Sequence, residues 1–190
     1  MPYLKRLHSL ADMRDLIFYN RARYKHMDAF THNVLRGPSE LTPAERELIA
    51  SYVSINNSCI YCTGVHVEVA MAFGIETTKI EALKNHDYEA YEPKFIPILQ
   101  LVKKLTQTPS KVVQSDIDSI ISVGWKEQTV EDVIAITALF NYFNRMMDGL
   151  GIRGSQFLFE EAGVILSKRG YKFPSIVVWF LKKTGWKREK

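Results

Sequence analysis

Apolar residues recur at three- and four-residue intervals through almost the whole chain, and no stretch alternates apolar with polar as a half-buried strand would. A first helical region is predicted over about 12–35, stopped by Gly37-Pro38. Thr42, Pro43 and Glu45 form an N-cap, a first helical position and a capping-box partner, opening a helix that reaches about residue 55. Asn56-Asn57-Ser58 breaks it, and Asn57 or Ser58 caps the next helix, 59–73, which Gly74 ends. Further helices are expected from Thr77 or Thr78, over about 89–106, from a Ser115 cap to about 122, from Thr129 through Met147, and over 155–168 and 174–183. The pattern predicts an all-α fold, with 1–190 as a single helical domain.

Composition narrows the class. A hydrophobic fraction of 46% with 24% charged residues is that of a globular protein, and the longest strongly apolar run, 176–181, is too short to span a bilayer. Residues 1–16 hold no apolar core of a secretory signal, so a cytoplasmic protein is expected. The pI near 9 suggests nucleic acid until its origin is traced. Eight Lys and Arg residues between 168 and 190 face the single Glu189, so the body of the chain is mildly acidic. With no nucleic-acid motif, the basic tail reads as a solvated end or an oligomer contact, and neither nucleic acid nor membrane is expected as a partner.

Chemistry concentrates in one segment. Cys59 and Cys62 are the chain's two cysteines, too few for a disulfide framework, and His66 follows four residues later. On a helix, positions i, i+3 and i+7 share a face, and thiols in the first turn sit where free N–H groups favour a thiolate. A thiolate is the reactive species, a second thiol can resolve its oxidised form, and an imidazole one turn on can exchange its proton. If helices 43–55 and 59–73 form an antiparallel hairpin, chain positions mirror about residue 56 or 57, and Glu47 lies level with His66. A Glu47–His66–Cys62 line would form a proton relay. Glu45 is better explained as a cap than as a base.

Other readings of the motif are weaker. Zinc would find only three ligands in one Cys-x-x-Cys and one His, so no metal is expected. Covalent haem needs His directly after the second Cys, where Thr63 stands, and a thioredoxin site needs a preceding strand. Gly149 to Gly154 matches G-x-G-x-x-G but follows a long helix, so it reads as a helix stop rather than a dinucleotide loop. Asn56-Asn57-Ser58 matches a glycosylation acceptor, without meaning where no secretory signal precedes it. Phe140, Tyr142, Phe143, Met146 and Met147 read as core or subunit interface rather than substrate pocket, and Asn144 and Arg145 as a helix-packing network without a catalytic role.

The run Leu41-Thr42-Pro43-Ala44-Glu45-Arg46-Glu47-Leu48-Ile49-Ala50, followed by Asn57-x-Cys59-x-Tyr61-Cys62-x-x-x-His66, resembles the alkylhydroperoxidase D-like (AhpD-like) / carboxymuconolactone decarboxylase superfamily. Phe140-Asn141-Tyr142-Phe143-Asn144-Arg145 resembles that family's closing helix, and Val34 to Ser39 its cysteine-bearing, peroxidase-related branch. The resemblance covers about 34–153, flanked by a helical N-terminal arm and the basic C-terminal extension. It implies an antioxidant peroxidase that reduces hydroperoxides with no cofactor. Cys62 would become a sulfenic acid, Cys59 would resolve it to a Cys59–Cys62 disulfide, and Glu47 with His66 would relay protons. An external dithiol would be the reductant, and a trimer or hexamer the assembly. The best-studied members carry His where this chain has Tyr61, and the decarboxylase branch lacks the cysteine pair. A redox-responsive interaction protein and a general dithiol–disulfide oxidoreductase are the alternatives.

Overall fold

The computed structural model describes residues 2–7 and 12–172, and among these nine α-helices and no strand are found. The expected first helix is two. Asp12 caps α1 (Met13–Tyr19), accepting from the Arg14 N–H at 2.7 Å. Asn20 then leaves helical geometry and caps α2 (Arg21–Arg36) through the Arg23 N–H. In α3 (Pro43–Asn56) the capping box is complete: Thr42 Oγ1 accepts from the Glu45 N–H, and Glu45 Oε2 from the Thr42 N–H at 2.7 Å.

The turn between α3 and α4 (Ile60–Ala72) uses Ser58 at φ 56°, and Cys59 rather than Asn57 or Ser58 occupies the N-cap. Gly74, at φ 93°, ends that helix region as the sequence suggests. After α5 (Thr77–Lys84), the helix expected over 89–106 begins only at Ile96, as α6 (Ile96–Gln107). Pro93 disfavours helix at the residue before it, and Pro97 is tolerated because it falls in the first turn. Then come α7 (Gln114–Ser122), with Val113 rather than Ser115 at its cap position, and α8 (Glu127–Leu150), which starts two residues before Thr129. The glycine run after α8 is a helix stop, with Gly151 left-handed at φ 70°. Ser155 caps α9 (Gln156–Arg169). The helix expected over 174–183 and most of the basic tail lie outside the described residues; Lys168, Arg169 and Lys172 are exposed.

Two apolar clusters organise the packing. One joins α3, α6 and α8 through Ile49, Tyr52, Val53, Ile98, Leu99, Val102, Ile136 and Phe140. The other surrounds α4 and holds both cysteines with Leu16, Ile17, Val65, Val69, Met147, Leu158 and Phe159. Each such side chain taken from water contributes roughly 1.5–3 kcal/mol. The hairpin partner α3 and the C-terminal α9 are the principal neighbours of α4. Close approach to α9 depends on Gly64, where a Cβ would fall 2.4 Å from the Phe159 ring, and on Gly163, where it would meet Glu68 at 3.0 Å. Among the described residues no helix is long and apolar enough to cross a membrane.

Candidate functional site

The hairpin places Glu47 against His66. Glu47 is fully buried in α3, and its Oε2 lies 2.7 Å from His66 Nδ1 on α4. An ionised carboxylate only accepts, so Nδ1 carries a proton and donates, which leaves Nε2 as the ring nitrogen able to exchange one. His66 is wedged edge-on against Phe140 of α8, with ring centroids 4.4 Å apart, and lies nearly parallel to the Tyr171 ring.

Two residues that sequence reasoning missed complete this cluster. Tyr171, just beyond α9, donates its hydroxyl to Glu47 Oε1 at 2.7 Å, and the Arg36 guanidinium at the end of α2 reaches the same oxygen at 2.5 Å. Burial by itself would push the Glu47 carboxyl up; the His66 hydrogen bond and charge, the Arg36 charge and the Tyr171 hydroxyl outweigh it and hold Glu47 below its usual range. Glu47 is thus a buried anion with three donors. Burial, followed by the Glu47 charge, pushes the Tyr171 phenol well above its ordinary value, so it stays a donor. Tyr171 lies 124 residues from Glu47, and no local pattern announces the contact. Arg36 closes a helix before Gly37, where a basic residue is also explained by the helix dipole.

Both cysteines are reduced and buried. Cys59 donates its N–H to the Ser54 carbonyl at 3.0 Å, and its thiol points to the Asn144 carbonyl at 3.9 Å. The expected low-pKa thiolate is not what the packing produces. Contact with the Cys59 sulfur foremost, and then burial, push the Cys62 thiol well above its ordinary value, with the Asn144 amide pulling it down. A helix terminus contributes at most about 1–2 kcal/mol to a nearby anion, and here a second thiol and an apolar shell oppose it. Asn144 therefore belongs to the thiol site, rather than to helix packing alone. Its side chain is fixed by Ser54 at 3.0 Å and by Asn57 at 2.8 Å.

Access separates the two thiols. A cavity of about 110 Å³ is lined by Cys62 and His66 but not by Cys59. Met27 of α2, Ile17 of α1, Leu158 and Leu166 of α9 and Phe140 and Phe143 of α8 make most of its wall apolar, so those two phenylalanines line a pocket as well as a core. Tyr61 lines it too. Its hydroxyl accepts from the Met13 N–H at 3.1 Å and its ring packs edge-on to Phe159, so the residue between the cysteines ties the motif to α1 and α9. Among the described residues no group of three His, Cys, Asp or Glu side chains is placed to hold a metal ion. The arrangement can present one thiol to a small ligand, with the second thiol beside it and His66 in the same cavity wall.

The carboxymuconolactone decarboxylase family model matches residues 22–101. An uncharacterized protein of Bacillus subtilis, YdfG, is 27% identical over 118 residues, covering 62% of this chain and 80% of its own. An uncharacterized peroxidase-related protein from Silicibacter sp. TM1040 superposes with a TM-score of 0.72 at 22% identity over 77% of each chain. An uncharacterized peroxidase-related protein with an alkylhydroperoxidase AhpD core, from Ralstonia eutropha JMP134, gives 0.71 at 21% identity over 78% of each. Sequence motif, helical architecture and structural neighbours agree: residues 22–101 match the carboxymuconolactone decarboxylase family, and the chain shares its helical fold with AhpD-like, peroxidase-related proteins.

Proposed function

We propose that this chain is a thiol-dependent peroxidase with an antioxidant role, reducing hydroperoxides through Cys62. The observation that carries the reading is His66, which shares a cavity wall with Cys62 and is joined at 2.7 Å to the buried Glu47 behind it. Because the resting Cys62 is a thiol, attack needs a base, and His66 Nε2 takes its proton while Glu47 stabilises the imidazolium. The thiolate attacks the terminal peroxide oxygen, the O–O bond breaks, and Cys62 becomes a sulfenic acid. The departing alkoxide takes the proton from His66 and leaves as an alcohol. Cys59 then attacks the sulfenic sulfur, releasing water and forming a Cys59–Cys62 disulfide. One hydroperoxide and two thiols thus give an alcohol, water and one disulfide, which an external dithiol reduces.

Arg36 and Tyr171 act as positioning residues that keep Glu47 ionised and in place. The reading includes a cytoplasmic setting and self-association, for which exposed Ile60 of α4 and Phe157 and Val164 of α9 supply apolar surface. To test it, reduced protein is mixed with stoichiometric hydroperoxide and its thiols are counted over time, alongside Cys62→Ser, Cys59→Ser, Glu47→Gln and His66→Ala. The proposal requires loss of both thiols in the wild type, a stalled sulfenic acid in Cys59→Ser, and a slowed first step in the Glu47 and His66 variants. Oxidation of Cys62 no faster than that of a free thiol would exclude it. Fast oxidation that no dithiol reverses into turnover would favour a redox-responsive interaction protein.

A further inference from the structure

The cavity beside Cys62 contains a polar group that the peroxide chemistry does not use. Asp28 stands on the buried face of α2, in series with Tyr24, Thr31 and Leu35, and only 6% of it is exposed. With Met27 and Thr31 it forms the α2 part of the cavity wall. Its Oδ2 is taken by Arg21 Nη1 at 2.5 Å, whereas Oδ1 is shielded from solvent and has no hydrogen-bond partner. Burial pushes this carboxyl up, and the Arg21 hydrogen bond and charge oppose the rise.

Packing alone gives little reason for an acid at this position. An apolar side chain would continue the stripe, and buried ion pairs replaced by apolar residues of similar volume are often neutral or more stable. An acceptor left unpaired in an apolar wall is a demand for a donor. The donor's chemistry follows from charge. Arg21 already neutralises Asp28, so an ammonium or an anion alike would bring an uncompensated charge into the apolar cavity. A neutral hydroxyl satisfies Oδ1 and adds no charge.

We propose that Asp28 is a specificity-determining residue, selecting compact apolar ligands that carry a neutral hydroxyl away from the end that meets Cys62. The peroxidase reading supplies only the identity of that reactive end: the substrate class becomes hydroxylated organic hydroperoxides. The cavity's size favours a short apolar body, since a comparably small apolar cavity is enough for a single small ring.

Occupancy can be read without any redox step. In the reduced full-length chain, hexan-1-ol and 1-methoxyhexane compete with iodoacetamide at Cys62, and alkylation is followed by mass spectrometry. The wild type should be half-protected at a roughly tenfold lower concentration of the alcohol than of the ether, because a site built to bond a hydroxyl rejects the analogue lacking it. The ratio should fall to about one in Asp28→Leu. The same preference should appear in the rate of Cys62 oxidation by 6-hydroxyhexyl over 6-methoxyhexyl hydroperoxide. Equal protection by alcohol and ether in the wild type overturns the proposal with no variant needed, as does a preference that survives Asp28→Leu. If neither hydroperoxide oxidises Cys62 while the alcohol still protects tenfold better, peroxidase chemistry falls and the Asp28 site stands.

Discussion

Replacing Glu47 by Gln removes one charge from a site where three groups were arranged around it. Arg36 is the residue most exposed to the loss: its side chain is 11% exposed and its ion-pair partner lies 2.5 Å away. Breaking a buried pair from one side costs about 3–5 kcal/mol, because the surviving charge remains desolvated. The lower end applies here. The guanidinium also donates to the Leu35 and Leu166 carbonyls and stacks on Phe73 and Tyr171, so it is not stranded. A loss of about 3 kcal/mol in a chain of this length lowers Tm by roughly 6–12 °C. Adding Arg36→Met removes the orphaned cation, and most of that stability should return. Activity should not return with it, since neither variant has the carboxylate charge that stabilises the His66 imidazolium. Urea unfolding of the reduced proteins gives the stabilities, and stopped-flow peroxide oxidation gives the rates. The reasoning is refuted if the double variant is no more stable than Glu47→Gln, or if its Cys62 oxidises at the wild-type rate. The pH dependence has a defined sign. The Glu47 carboxyl is depressed on folding, so its contribution is fully present above the ordinary carboxylate value near 4.3 and is lost as pH falls through the lower folded value. The stability gap between wild type and Glu47→Gln should therefore hold from pH 7 to about 5 and narrow in stronger acid.

Three further outcomes are expected. Tyr171→Phe deletes one charge-assisted hydrogen bond while Arg36 still holds Glu47, so it should cost about 1.5–3 kcal/mol in urea unfolding and shift the pH profile of Cys62 oxidation; an unchanged profile would make Tyr171 merely structural. Cys59→Ala removes the foremost cause of the raised Cys62 pKa, so iodoacetamide should alkylate Cys62 faster at pH 7.5 and with a lower midpoint than in wild type. Gly64→Ala forces a Cβ into the Phe159 ring at 2.4 Å and should destabilise by about 1–3 kcal/mol in thermal unfolding, through separation of α4 from α9; a Tm equal to wild type would mean the two helices part freely.

The parts of this molecule legible in the sequence are those that local chemistry decides. Thr42, Pro43 and Glu45 cap α3 as their identities require, and Gly74 and Gly151 stop helices where only left-handed backbone continues. The Glu47–His66 contact was legible because a short hairpin makes chain position a ruler. Where neighbours in the chain compete, as at Asn20 or around Pro93 and Pro97, helix ends moved although the helical class did not. Sequence by itself thus determined the class, the motif and the two-helix frame of the site, all set by contacts within a few residues or across one tight turn. Only the tertiary structure decided the rest. Arg36, Tyr171 and Asn144 reach the site from separate helices and the segment after α9. The cavity that exposes Cys62 and hides Cys59 exists only once α1, α2, α8 and α9 close around α4. Burial and long-range charge, which set the state of a thiol or a carboxylate, are properties of that enclosure, and no periodicity along the chain encodes them.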